Sequence, residues 1–371
     1  MSILFTPAKI NSLELKNRFI RSATWEGMAT QDGYPTKKLI DLLVNLAQNE
    51  VGLIITGHTY VILEGRTSPW QLAIYDDKFI PSLKDMVKAV HDAGGKIAVQ
   101  LTHAGCFGAY HLTKLTPLGP SCLDKEGLHH PCREMSIEDI KRTIHAFVKG
   151  AVRAREAGFD AVQLHGAHGY LLSQFLSPFF NKRDDLYGGP LENRARIIFE
   201  IIEGIRKEVG KDYPLFIKIN CDDFLEKGLK KQEAVDLCVM LEQRGIDAIE
   251  ISGGTKFSGK FLPVRKGDLK STEDEVYYKD AASMIKKRLK IPLILVGGIR
   301  SFEVAESCVK NNLADFIALS RPLICEPDLI KRWKEGDRRR SECKSDNLCF
   351  RPAFEGKGIF CVRKERKKNK K

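Results

Sequence analysis

No stretch of this chain approaches the roughly 20 consecutive apolar residues that a membrane-crossing helix needs, so no membrane partner is expected. The amino terminus, Met1-Ser2-Ile3-Leu4-Phe5-Thr6-Pro7, lacks the charged region, apolar run and cleavage site of a secretory signal. Together these absences predict a cytoplasmic protein. Thiols stay reduced there, so ten cysteines argue for free thiols, metal ligands or catalysis rather than a disulfide framework. An excess of basic charge is also scarce outside one place. The net charge is +12, yet 16 Lys/Arg against 6 Asp/Glu lie between Lys331 and Lys371, notably in Arg338-Arg339-Arg340 and Arg363 to Lys371. Such runs are usually solvated ends, and no aromatic or motif support accompanies them, so nucleic acid is not an expected partner.

What is present is a steady alternation. The 371 residues exceed the roughly 250 that a single α/β barrel commonly needs. Apolar strands are expected at 18–24, 52–56, 96–100, 160–164, 215–219, 248–252, 293–296 and 316–319, each followed by a helical pattern. Ser136-Ile137-Glu138-Asp139 reads as the start of the helix that precedes the fourth strand. Strands apolar on both faces, alternating with amphipathic helices, indicate a parallel sheet covered by helices. Eight such units close a (β/α)8 TIM barrel. The rival, an open doubly wound sheet, lacks its Gly-x-Gly-x-x-Gly after the first strand. The barrel is expected over 1–335, with an excursion at 103–135 over its mouth and a basic, Cys-containing extension over 336–371.

In such a barrel the strand ends converge on one mouth. The candidates there are Ala23 and Thr24, Gly57 and His58, Gln100 and His103, His165 with His168 and Tyr170, Lys218, Ser252, Gly297-Gly298, and Ser320-Arg321. A lone His near a strand end is commonly structural. Two His and a Tyr beside Gly166 and Gly169, which let backbone approach a ligand closely, favour a site. Gly297-Gly298 before a helix, with Arg321 one strand along, suits a phosphate; a tight turn and a surface ion pair would use the same residues.

The stretch from Gln163-Leu164-His165-Gly166-Ala167-His168-Gly169-Tyr170 through Ser177-Pro178-Phe179-Phe180-Asn181-Lys182-Arg183-Asp184-Asp185-Leu186-Tyr187-Gly188-Gly189 to Glu192-Asn193-Arg194 closely resembles the signature of the old yellow enzyme family of FMN-dependent oxidoreductases. The resemblance extends over roughly residues 1 to 335. It implies that Ala23, Thr24, Gln100 and Lys218 contact the isoalloxazine, with Lys218 placing positive charge near N1. It implies a phosphate clamp at Gly298 and Arg321, joined by Gly297 and by Ser320, which stands where many relatives have Gly. His58, Ser252 and His165 are expected beside the cofactor, with His58 either tuning the flavin or merely packing, the latter favoured. His165 and His168 would bond a substrate oxygen, and Tyr170 would protonate the α-carbon after hydride reaches the β-carbon. Trp25 aligns with a Cys that bonds flavin covalently in trimethylamine dehydrogenase, so non-covalent FMN is expected. The implied activity is reduction of an electron-poor alkene (an enone, enal, enoate or nitro compound) using NADH or NADPH. The alternatives are a flavin-binding electron-transfer subunit, an amine-demethylating dehydrogenase, and a flavin-free phosphate-binding barrel. A homo-oligomer and an acidic redox partner at the basic tail are both compatible with this reading.

Relatives such as 2,4-dienoyl-CoA reductase and 2-enoate reductase carry a four-Cys iron–sulfur motif after the barrel. Here Cys343, Cys349 and Cys361 match it, but Asp346 stands at the second ligand's position. A [4Fe–4S] cluster normally takes four thiolates, so a degenerate, empty site is expected and neither cluster nor Zn²⁺ is assigned. In the excursion, Cys106, His111, Cys122, His129, His130 and Cys132 lack tight ligand spacing. A substrate-lid hairpin is expected there instead.

Overall fold

The computed structural model describes residues 2–123, 128 and 130–368. Of the residues singled out above, His129 and Asn369, Lys370 and Lys371 of the basic tail lie outside that set. Eight parallel strands close a barrel in chain order: β1 (Phe19–Arg21), β2 (Leu53–Tyr60), β3 (Ile97–Thr102), β4 (Ala161–Gly166), β5 (Leu215–Asn220), β6 (Ala248–Ser252), β7 (Leu293–Val296) and β8 (Phe316–Leu319). Ile317 lies beside Phe19 and closes the ring. The expected fold is therefore present, with strand ends differing from the sequence reading by a few residues.

Helices from Lys37–Gln48 to Leu329–Lys334 cover the outside. Their apolar faces explain why the strands are buried on both sides, leaving no polar alternation. The helix Ile137–Glu156 starts as its sequence indicates. Ser136 Oγ accepts from Asp139 N at 3.1 Å, and the Asp139 carboxylate accepts from Ser136 N at 2.9 Å. This reciprocal cap satisfies two otherwise orphaned donors.

Four features were not anticipated. A hairpin, Ala8–Ile10 paired with Leu13–Leu15, turns at Asn11 with φ of 52°, a conformation that Asn tolerates. Its Ile10, Leu13 and Leu15 pack with Leu53, Ala161, Phe216 and Ala248 near the strand starts. The hairpin thus plugs the end of the barrel opposite the mouth. A short helix, Leu171–Leu176, follows the two-His segment. The excursion is not a hairpin, since its short strands Leu118–Gly119 and Arg133–Glu134 run parallel. Finally, the extension beyond residue 335 is more than a solvated tail: Ala353 and Ile359 belong to the main core. Ile359 N donates to Glu26 O at 2.8 Å. Among the described residues no helix is long and apolar enough to cross a membrane.

Candidate active site at the barrel mouth

The carboxyl ends of all eight strands open into one cavity of about 1020 Å³. That is at the upper end of small-molecule sites, roughly 300–1,000 Å³. Of the residues expected at the mouth, Ala23, Thr24, His58, Gln100, His165, His168, Tyr170, Lys218, Ser252, Gly297, Gly298, Ser320 and Arg321 line it. Gly57 and His103 do not: Gly57 N donates to Glu26 Oε1 at 3.1 Å, and the buried His103 accepts from Gly105 N at 3.0 Å.

His165, the last residue but one of β4, is 2% exposed. Its ring centre lies 5.2 Å from that of His168 and 4.8 Å from that of Tyr170. Its Nδ1 is buried without a hydrogen-bond partner. An orphaned polar atom facing a cavity is costly unless a ligand satisfies it. His168 is held at φ 65°, a backbone state that costs energy for a residue with a Cβ. Its N–H donates to Asn220 Oδ1 at 3.0 Å, and its Nε2 lies 2.7 Å from Ser252 Oγ. Ser252 is thus engaged by His168 as well as facing the cavity. Burial first, then neighbouring positive or imidazole groups, holds both histidines well below the ordinary His range. Both are therefore neutral near pH 7, with one N–H each to donate. Burial raises Tyr170 above the ordinary phenol range against an opposing hydrogen bond from Thr67, so it keeps its proton.

His58 is re-aimed by a bulge in β2, where the register shifts between Ile55 and His58. Gln71 Oε1 accepts from Thr67 N at 3.0 Å and Ser68 N at 3.2 Å, which turns the Gln71 amide nitrogen toward His58. That nitrogen lies 2.9 Å from His58 Nδ1. Nδ1 is therefore the acceptor and Nε2 carries the hydrogen. Burial pushes this imidazole down to about 4.

Beneath the mouth runs a buried chain. Gln100 Nε2 donates to Gln163 Oε1 at 2.7 Å, and Gln163 Nε2 donates to Glu250 Oε2 at 2.8 Å. Lys218 Nζ bonds Ser22 Oγ at 2.8 Å and Glu250 Oε1 at 3.0 Å. Glu250 was not anticipated. A carboxylate inside the apolar run Ala248-Ile249-Glu250-Ile251 was the available signal, because a buried charge demands a partner.

At the opposite side, Gly297 and Gly298 have φ of 119° and 80°. A Cβ on them would meet the Tyr278 and Tyr277 rings at 2.8 Å and 2.7 Å, so this close approach admits only glycine. The helix that follows does not offer a vacant amino terminus. Arg300 N and Ser301 N both donate to Glu275 Oε2, at 2.6 and 3.0 Å. A phosphate would have to use the glycine loop and Arg321 instead. Arg321 Nη1 bonds Arg265 O and Asn347 Oδ1, each at 2.7 Å. This leaves the other guanidinium donors, of five in all, for a ligand. Trp25 lines the cavity together with Phe350, Arg351 and Phe354 of the extension and Leu262 and Val264 of the loop after β6. These loop and extension residues escaped sequence reasoning.

The residues expected to form a degenerate cluster motif lie elsewhere. Cys343, Cys349 and Cys361 line a second cavity of about 670 Å³, which Cys325 also reaches. The Asp346 carboxylate pairs with the Arg363 guanidinium, so it is already committed to a cation. Among the described residues no group of three or more His, Cys, Asp or Glu side chains is arranged to hold a metal ion. In the excursion, Cys106 and Cys132 place their sulfurs 3.1 Å apart, and His130 stacks on Tyr110.

Comparison with known proteins agrees with this geometry. Residues 3–340 match the model of the NADH:flavin oxidoreductase / NADH oxidase family. An NADH oxidase of Thermoanaerobacter brockii is 37% identical over 93% of this chain and 52% of its own. The structure of a 2-naphthoyl-CoA reductase complex superposes with a TM-score of 0.89 at 28% identity, covering 97% of this chain and 56% of that one. An old yellow enzyme homologue from Zymomonas mobilis gives 0.79 at 26% identity, covering 97% of both chains. The chain spans about half the length of the NADH oxidase and of a metal reductase it also matches. By its barrel, its mouth residues and this match over most of its length, the chain belongs to the NADH:flavin oxidoreductase family of FMN-dependent enzymes, the family of old yellow enzyme.

Proposed function

We propose that the chain reduces an electron-poor C=C bond conjugated to a carbonyl, carboxylate or nitro group, with NADH or NADPH as reductant and FMN bound non-covalently. The observation that carries this reading is the meeting of His165, His168 and Tyr170 on the cavity whose floor holds Gln100 and Lys218. The residues fit the cofactor. A buried cation, an amide that both donates and accepts, a glycine loop and a guanidinium suit its anionic, imide and phosphate parts. Gln100 and Lys218 would take the pyrimidine edge, Ala23 and Thr24 the ring, and Gly297, Gly298, Ser320 and Arg321 the phosphate.

Held by these residues, FMN would supply hydride-transfer chemistry between the nicotinamide and the alkene. The chain's own residues then do three things. His165 and His168 donate hydrogen bonds to the substrate oxygen, drawing electrons from the alkene as negative charge grows there. Their neutrality suits them to donate without giving up the proton. Tyr170 delivers a proton to the α-carbon, a step that a positioned phenol can perform. Trp25, which is buried, and Phe350 give the cavity an apolar side.

A protein-borne donor is the second reading, favoured by the exposed basic helix Val362–Lys368, which offers an acidic partner a docking face. Amine demethylation is disfavoured because Trp25 stands where the covalent cysteine would be. An anaerobic visible spectrum before and after NADH or NADPH tests the proposal. Flavin bands that bleach with nucleotide and return with an enone support it. Bands indifferent to both nucleotides but bleached by a reduced protein donor would transfer support to the second reading.

A further inference from the structure

We propose that Glu250 is a positioning residue that sets both the hydrogen-bond polarity and the charge balance of the flavin's pyrimidine pocket. The inference rests on the FMN reading above.

Glu250 is fully buried at the centre of β6. The strand register places it beside Lys218, and Lys218 beside His165. An ionised carboxylate can only accept hydrogen bonds. One of its oxygens accepts from Ser22 Oγ at 2.6 Å and from Lys218 Nζ at 3.0 Å. The other accepts from Gln163 Nε2 at 2.8 Å.

The last contact has a directional consequence. Gln163 must turn its NH₂ toward Glu250, so its oxygen faces Gln100. Gln100 must answer with its own NH₂, at 2.7 Å. Its oxygen and one remaining N–H are then left for the cavity. Amide orientation is seldom fixed by shape alone; here the charge at the end of the chain dictates it. The pattern left at Gln100, one acceptor beside one donor, complements a cyclic imide edge with its N–H flanked by C=O. Reversing either amide would set oxygen against oxygen.

The same carboxylate balances Lys218. Two of the ammonium's three donors go to Ser22 and Glu250, which leaves one for a ligand. The buried pair is neutral as a unit. Removing the negative partner would leave an uncompensated cation beside the pyrimidine ring and favour any flavin form carrying negative charge there.

Sulfite reports on this directly, because it adds reversibly to oxidised flavin and leaves negative charge on the pyrimidine ring. FMN-loaded wild type, Glu250→Gln, Glu250→Asp and Gln163→Leu would be titrated with sulfite, and FMN release measured in parallel. Glu250→Gln is expected to bind sulfite about tenfold more tightly, with Glu250→Asp falling between it and wild type. Gln163→Leu keeps the Lys218–Glu250 pair, so it should release FMN faster with unchanged sulfite affinity. Should Glu250→Gln fail to fold, Glu250→Asp carries the charge half of the test, where wild-type sulfite affinity would overturn it, and Gln163→Leu carries the polarity half. Flavin-loaded Glu250→Gln with wild-type sulfite affinity would overturn the charge role, and Gln163→Leu with wild-type FMN release would overturn the polarity role. Failure of the wild type to take up FMN would instead overturn the cofactor reading, and this inference with it.

Discussion

The indole of Trp25 and the ring of Phe354 sit 4.9 Å apart and tilted by 49°, joining the loop after β1 to the carboxyl-terminal extension at the edge of the active-site cavity. Phe354 is 64% exposed, so the contact contributes little to folding. Phe354→Ala should change stability by no more than about 0.5 kcal/mol, as is usual for surface positions. It should raise KM for bulky apolar substrates several-fold and leave small ones nearly unaffected. Steady-state kinetics on a size series of enones checks this; equal effects across the series would remove Phe354 from the substrate wall.

Tyr170→Phe should slow alkene reduction by about 10²–10⁴-fold, the usual weight of a general acid, while FMN binding and flavin reduction by nucleotide persist. Stopped-flow absorbance separates the two half-reactions. Burial keeps His165 and His168 neutral and Tyr170 protonated. The alkene half-reaction should therefore be nearly flat from pH 6.5 to 9. A break near 6.5 in that half-reaction would mean that a histidine titrates there.

Stability should respond to acid more than activity does at neutral pH. Burial holds His58 down to about 4, and burial with a smaller push from Arg142 holds His103 down to about 3. Above the unfolded value of 6.5, neither state binds the proton, and the full stability is present. As pH falls below 6.5, the unfolded chain takes up protons that the fold refuses. Stability is then lost, by at most about 1.4 kcal/mol per pH unit and per histidine, until the folded values are reached. Urea denaturation at pH 7 and pH 5 measures the loss, which should shrink in His103→Gln.

Arg321→Ala removes a guanidinium that lines the cavity and bonds Arg265 and Asn347. FMN retention through gel filtration should fall at least tenfold. The extension should also become easier to cleave near 345–350 in limited proteolysis. Loss of FMN without new cleavage would assign the residue to the phosphate alone.

The barrel was legible because each strand is a short apolar run and each helix keeps its period; the doubly wound rival lacked its glycine-rich turn after the first strand. The mouth residues were legible for a related reason. His165, His168, Lys218 and Gln100 are polar groups at the ends of apolar strands, where burial makes polarity conspicuous. The extension's part was hidden because Phe350 and Phe354 sit in a segment dominated by its charge, which masks two rings that line the cavity, one of them packed on Trp25. The bottom hairpin was hidden because three-residue strands carry too little pattern to register. The phosphate end was half legible: Gly297 and Gly298 stood out, but Glu275, 22 residues before Gly297 in the chain, gave no sign that it would occupy the helix start.

The hairpin of Ile10, Leu13 and Leu15 has a kinetic corollary. With the far end of the barrel stoppered, traffic to the flavin site runs through the mouth alone. Nucleotide and alkene would then take turns in the same space, each leaving before the other arrives. Double-reciprocal plots at several fixed nucleotide concentrations should give parallel lines, and excess of either reactant should inhibit competitively against the other. Converging lines would mean that both are aboard at once.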